Sequence, residues 1–396
     1  MEGVKLAGRE SATNGLFQFY YIAAQENAVL THSADRLQAT QMTLERFIQL
    51  WTHRYHKYSH IFEARLKGYQ ARRHFESVKK KLAPGKQLVA IIRTEHFGDI
   101  IAAEPISRYV RSLHPDAYIV WFVRPVFQEL VAVNPEINEV FPEFCVTQRQ
   151  TLLAGNVFDK VIELQFSNNN HCPKCQVFID NPVAVRRDIT IFNYFDYGNL
   201  LEVFAQTGDL IPPKSTFPAD DHPRLYLQDK HRSKVDSLGL ADRYIVLHCQ
   251  SNYKPKDWPS ERWDMLVNWL SESYDYQIVE VGMASSLTAK TNAYRSLCGQ
   301  LSILETAEVI RRAEFFIGLD SGPSHLANAS GTFGMILMGA LNNFLNYNPY
   351  SGKYGSGDNV VLVRQPNLPC CDLTFEFVKE KVQEVLDKAS AESRLA

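Results

Sequence analysis

Long apolar runs are missing from this 396-residue chain. No stretch approaches the roughly 18 consecutive apolar residues that a membrane helix needs. The start, MEGVKLAGRESATNG, has no basic segment followed by an unbroken apolar run. A secretory signal is therefore not expected, and the expected compartment is the cytoplasm. Charge of one sign is scarce as well: the net charge is −2, which gives no global attraction to nucleic acid, and none is expected as a partner. Seven cysteines in so long a chain do not form a disulfide framework, and a reducing compartment keeps them as thiols. Hydrophobic residues at 45% and charged residues at 22% are ordinary for a globular protein. The length exceeds the roughly 250–300 residues at which single cores stop growing, so two or three domains are expected.

Residues 1–85 carry aromatics at helical spacing (Phe47, Trp51, Tyr55, Tyr58, Phe62) and no clear strand. From Arg54 to Lys86 basic residues far outnumber the acids Glu63 and Glu76. This reads as a solvated helical face or, alternatively, as a surface for anionic lipid or a phosphorylated acceptor. At Gln87 the pattern changes to strands alternating with helices: QLVAIIR at 87–93, then strands at 118–123, near Val140 and at 161–166. Pro105 lies early in the first helix of this series and is expected to kink it without ending it. The proline-rich stretch 212–223 reads as a linker. A second series follows, with strands at 244–249, 277–282, 315–319 and 333–338 and a last helix from Phe375. Such alternation implies parallel sheets covered on both faces. The expected divisions are 1–85, 86–215, 224–365 and 366–396.

Three loops follow apolar strands, where ligands of open α/β sheets bind. In RTEHFGD (93–99), Asp99 stands at a helix start, where a carboxylate can cap the helix or act as a general base on a hydroxyl. In QSNYKPKDWP (250–259), Ser251 and Asn252 offer donors, and Lys254 and Lys256 offer positive charge just before a helix N-terminus. That is an anion site in form, or else an exposed loop with two solvated lysines. In DSGPSH (320–325), Gly322 permits close approach of backbone to ligand, and Pro323 suits a first helical turn. Asp320, Ser321 and His325 cluster around the same N-terminus.

The order xxxxGD after a strand, then KxWP, then a late DSGPxHLA resembles glycosyltransferase family 9, the bacterial heptosyltransferases. The similarity runs from about Leu88 to Ala340 and includes FQELVAVNP at 127–135. What it implies is a GT-B fold: α/β, with two Rossmann-type domains facing across a cleft, here with an extra helical N-terminal segment. It also implies an inverting, metal-independent transfer, with ADP-heptose as the usual donor. Asp99 matches the family's catalytic base. Ser251 and Lys256 match positions at the donor diphosphate, and Asp320, Ser321, Gly322 and His325 match the donor-binding loop. Two departures stand out. MASS at 283–286 has no glutamate where many members hold the nucleotide ribose, and residues 1–85 lie outside the usual pattern. A UDP- or GDP-sugar donor and a catalytically silent scaffold are the alternatives. The acceptor is left open among a glycan, a lipid-linked and a protein hydroxyl, with peripheral contact to an anionic membrane.

HCPKC (171–175) contains a CxxC, and Cys370-Cys371 follows PNLP. Should the last helix cross back to the first domain, as GT-B tails usually do, Cys172, Cys175, Cys370 and Cys371 would meet. They would then hold a structural zinc or iron ion, the alternative being reduced, unligated thiols. No cofactor is expected for catalysis. Cys145, Cys249 and Cys298 read as small buried residues.

Overall fold

The computed structural model describes residues 44–167 and 171–393. The helical extension expected at the N-terminus is thus seen from Leu44 onward, and its residues 1–43 lie outside the described residues. The chain divides into two units, Met1–His56 and Lys57–Ala396. In the first, the described residues are helical and expose Phe47, Trp51 and Tyr55, with the rings of Phe47 and Trp51 5.9 Å apart.

The second unit contains two parallel sheets. The first joins β1 (Leu88–Ile92), β2 (Tyr118–Val123), β3 (Glu139–Pro142) and β4 (Lys160–Glu163) in the order β3-β2-β1-β4. A short antiparallel hairpin of β5 (His171–Cys172) and β6 (Val177–Phe178) follows. The second sheet joins β7 (Tyr244–His248), β8 (Gln277–Glu280), β9 (Tyr294–Ser296), β10 (Phe315–Leu319), β11 (Phe333–Leu337) and β12 (Val360–Val363). Its order is β12-β11-β10-β7-β8-β9. In both sheets the strand order reverses beside the first strand, between β1 and β4 and between β7 and β10. These are the topological switch points at which such sheets bind ligands.

Strand period 2 sends alternate residues of β1 to opposite faces. Val89 and Ile91 join the larger core with Ile106 and Val110, while Leu88, Ala90 and Ile92 pack with Ala71 and Phe75. Phe75 belongs to the helix Leu44–Lys81 and is fully buried. Its ring lies 5.0 Å from that of Phe158 and 5.7 Å from that of Phe141. The part of this helix beyond His56 therefore covers one face of the first sheet.

The region after β1 departs from expectation. The single helix kinked at Pro105 is two helices, Phe97–Ala102 and Glu104–Leu113, meeting at Ala103. Pro105 sits in the first turn of the second, where its missing N–H costs nothing. The helices Ile303–Arg312 and Gly322–Ser330 are bounded by local chemistry, the first starting at Ser302 and the second stopping at Gly331. Ser302 and Glu305 form a reciprocal capping box, and Gly331 takes the left-handed conformation with φ 74°. The helix Phe375–Ser393 does not return to the first domain. Val378, Val382 and Leu386 share one buried stripe with Trp263, Leu266 and Leu270 of the helix Ser260–Ser273, in the second domain's own core.

Candidate active site

The first switch point is organised by an arginine. β1 is apolar throughout and ends at Arg93, whose side chain is buried. Its guanidinium donates to Gln165 Oε1 at 2.8 Å, lies 4.4 Å from the centre of the Phe204 ring, and pairs with Asp99. Asp99 occupies the first turn of the helix Phe97–Ala102, with His96 Nδ1 3.7 Å from its carboxylate. Burial alone would raise the Asp99 pKa. The Arg93 guanidinium, followed by His96 and His325, outweighs burial and holds the carboxyl well below the usual range. Asp99 is thus an anion at neutral pH, aimed by a rigid partner.

The second switch point is organised by a carboxylate. Asp320 follows β10 directly and is buried. It accepts from Lys256 Nζ at 2.7 Å, Tyr347 OH at 2.6 Å and Tyr350 OH at 3.1 Å. Burial pushes its pKa up, but the Lys256 charge and these donors bring it below the ordinary value. A carboxylate so committed holds Lys256 in place, and the lysine keeps a quarter of its side chain exposed. Ser251 is also turned inward, its hydroxyl 2.7 Å from Asp257 Oδ1. Ser321 precedes the helix Gly322–Ser330, its amide donating to Ser324 Oγ at 3.2 Å and its hydroxyl to the Leu319 carbonyl at 3.2 Å.

The two loops meet. A Cβ added to Gly322 would fall 2.0 Å from the Phe97 ring. The glycine therefore admits a side chain of the opposite domain. A Cβ on Gly98 would come within 3.0 Å of His325 Cδ2. His325 is buried, lies with its ring 4.9 Å from and tilted against that of Tyr350, and is held below its usual pKa by burial despite the opposing pull of Asp320 and Asp99. The imidazole is therefore neutral at pH 7.

Arg93, Phe97, Tyr347 and Tyr350 were not singled out as site residues by sequence reasoning. For Arg93 a signal existed: a charge ending a buried strand must find a partner. The tyrosines of NYNPY carried none, because only the fold brings them to Asp320. At the end of β8, the buried Glu280 accepts from Tyr294 OH at 2.6 Å and Ser296 Oγ at 3.1 Å, while Met283 is almost fully exposed.

The cysteines do not assemble as expected. Cys370 lies in the second domain's core with Trp258 and Leu373, and the Cys371 carbonyl accepts from Arg262 at 2.7 Å. Because the last helix stays on that domain, neither reaches Cys172 or Cys175. The latter two gather instead with Cys145 and His60. Cys249 is buried as expected, whereas Cys145 and Cys298 are only partly so.

Two Rossmann-type domains meeting through their strand-end loops define the GT-B fold. The same fold is seen in a glycosyltransferase family 9 structure from Veillonella parvula, with TM-score 0.59, 16% identity, and coverage of 76% of this chain and 98% of that one. It is seen again in the ADP-heptose lps heptosyltransferase II of E. coli, with TM-score 0.56, 17% identity, and coverage of 77% and 99%. Residues 199–363 match glycosyltransferase family 9 (heptosyltransferase). The chain is 26% identical over 277 residues to lipopolysaccharide heptosyltransferase 3 of Escherichia coli (strain K12), covering 62% of this chain and 80% of that protein. It is 20% identical over 304 residues to lipopolysaccharide heptosyltransferase 1 of Campylobacter coli, covering 65% and 85%. The protein is a heptosyltransferase-like glycosyltransferase, and the resemblance carried by KDWP and DSGPSHLA is borne out. Among the described residues no helix is long and apolar enough to cross a membrane.

Proposed function

We propose that the protein is an inverting transferase that moves a heptose from ADP-heptose to an acceptor hydroxyl. The observation that supports this reading is a pair of opposed ion pairs. Arg93 is buried and leaves Asp99 partly exposed, whereas Asp320 is buried and leaves Lys256 partly exposed. The first domain thus presents an anion to its strand-end loop, and the second presents a cation. Transfer at an anomeric carbon needs this division of labour. Asp99 takes the acceptor's proton as the acceptor oxygen bonds to the anomeric carbon. The bond from that carbon to the diphosphate breaks, and its electron pair leaves with the nucleotide. Lys256 and the N-terminus of the helix Gly322–Ser330, with Ser321 and His325, stabilise the departing charge. Asp320 and Ser251 act behind them as positioning residues.

In this reading residues 86–215 receive the acceptor and residues 224–365 the donor, with no cofactor in the chemical step. The acceptor is a glycan, lipid-linked or protein hydroxyl on the cytoplasmic side, within reach of the membrane surface. A UDP- or GDP-sugar is the second reading, raised by the chain's departure from the family's usual nucleotide site. The end of β8 offers no unengaged carboxylate for a ribose, since Glu280 is held by Tyr294 and Ser296. Titration calorimetry with ADP-heptose, UDP- and GDP-sugars decides between them. Saturable binding of ADP-heptose alone is expected, and preference for another nucleotide overturns the donor assignment.

A further inference from the structure

A second constellation lies in the first domain. Cys172 and Cys175 stand on the β5–β6 hairpin, Cys145 at the N-cap of the helix Val146–Leu153, and His60 on the helix Leu44–Lys81. Their ligating atoms all lie within 4.8 Å of one another. A tetrahedral ion with bonds of about 2.0–2.3 Å sets its ligand atoms roughly 3.3–3.8 Å apart. Cys172 Sγ and His60 Nε2 are already 3.5 Å apart, so small inward movements complete the shell.

The local backbone suits a metal-bound turn. The Gln176 amide donates to the Cys172 carbonyl at 2.8 Å, and Gln176 takes the left-handed conformation with φ 55°. Amides of Cys175 and Lys174 point at the Cys172 sulfur, and those of Gln148 and Thr147 at the Cys145 sulfur. Thr147 Oγ1 lies 3.0 Å from Cys175 Sγ. Lys174 and Lys67 lie within electrostatic reach of His60, where they offset the single negative charge of a dication bound by three thiolates.

Stability gives a separate reason. Each strand of the hairpin has two residues, and an isolated hairpin is marginal in water. Its apolar support is small: Val146, Cys172 and Cys175, with Ile61, Cys145, Val177 and Ile179 at the edge. An element with so little core of its own needs a staple.

We propose that His60, Cys145, Cys172 and Cys175 bind one tetrahedral zinc ion that pins the hairpin and the N-terminal helix to the first domain. Binding releases three thiol protons and forms three Zn–S bonds and one Zn–N bond, with no redox change. The consequence for the protein is positional. The hairpin, Cys145 and His60 form one wall of a cavity of about 250 Å³ whose other walls include Thr94 and Gln165. Gln165 is the residue that receives Arg93, the partner of Asp99. The ion thereby fixes a wall of the space beside the carboxylate.

The test uses the full chain purified without chelators. Metal analysis is expected to find one zinc per chain, lost in Cys172→Ser and Cys145→Ser and kept in Cys371→Ser. Should the cysteine variants fail to fold, cobalt exchange into the unaltered chain is expected to give the visible spectrum of a tetrahedral thiolate site. Amide exchange of residues 171–178 should accelerate on chelation and recover when zinc is restored. Free alkylation of all three thiols, Cys145, Cys172 and Cys175, in native metal-free protein, or zinc that survives Cys172→Ser, would overturn the site. Iron in place of zinc would overturn the choice of ion. None of these readouts depends on transferase activity.

Discussion

The two switch points are built from the same parts turned inside out. Each has one cation and one carboxylate, each member drawn from a strand-end loop, and each pair has one partner buried and the other facing the cleft. In the first domain the buried member is Arg93, fixed over Phe204 and by Gln165; in the second it is Asp320, fixed by two tyrosines. The lesson concerns cost. A charge displayed at the bottom of a cleft must be held still, and a buried opposite charge that is itself fixed by neighbouring side chains supplies a rigid holder. The sign left exposed then sets the chemistry available. The sheets share a second feature. Each is covered on one face by a helix from its own chain end, the first through Phe75 and the second through Val378, Val382 and Leu386.

The largest effect should come from erasing the exposed anion. Asp99→Asn should lower turnover by about 10²–10⁴-fold, the usual worth of a general base, while donor affinity stays nearly unchanged. Turnover and titration calorimetry measured in parallel would break the comparison if both fell together. The chain-end helices can be tested in the same spirit. Phe75→Ala should cost about 3–5 kcal/mol in chemical unfolding, the range for a large buried aromatic. Removal of residues 1–56 should cost far less, because Phe75, Ala71 and Ala64 are retained. Equal losses in the two variants would assign the stabilising role to the wrong end of the helix.

Erasing the exposed cation should act on binding rather than turnover. Lys256→Ala should weaken donor binding by roughly tenfold to a hundredfold, as expected for a charge-assisted hydrogen bond of about 1.5–3 kcal/mol. The variant should also leave Asp320 buried without its cation, and so lose stability as well. Added salt should weaken donor binding of the parent more than that of the variant. A variant with normal donor affinity would place the diphosphate elsewhere.

Much of this architecture was legible in the sequence because parallel strands announce themselves. β2 and β10 are bounded as the apolar runs suggested, and Ser302, Glu305 and Gly331 mark their helix ends by local chemistry alone. What was hidden depends on which segments meet in space. The helix Leu44–Lys81 exposes its most conspicuous aromatics, Tyr58 and Phe62 among them, and buries the less conspicuous Ala64, Ala71 and Phe75. Composition drew attention to the wrong face. The cysteine grouping failed similarly: CxxC is local and was seen, but its companions lie 27 and 112 residues before Cys172 and one is a histidine. The expected route of the last helix decided the choice, and the stripe Val378, Val382, Leu386 could have been read instead as belonging to the nearest core.

The smallest predicted effect concerns His325, which sits between the two pairs. Burial holds its pKa below the unfolded value near 6.5. Above that value the imidazole is neutral in both states and pH has no leverage through this residue. As pH falls below it, the unfolded chain takes up a proton that the folded chain refuses, so stability declines with falling pH. His325→Asn removes that contribution. The stability difference between parent and variant should therefore shrink as pH falls from 7.5 through 6, when both are followed by urea unfolding. Asp99 and Asp320 have depressed pKa values. Their contribution is present above the ordinary aspartate range and is lost only in more acidic solution, so it does not confuse the comparison. A difference that stays constant across this window would mean that His325 titrates normally in the folded protein. The contact between the two loops would then admit water, and the carboxylate and lysine would be presented to a more open cleft.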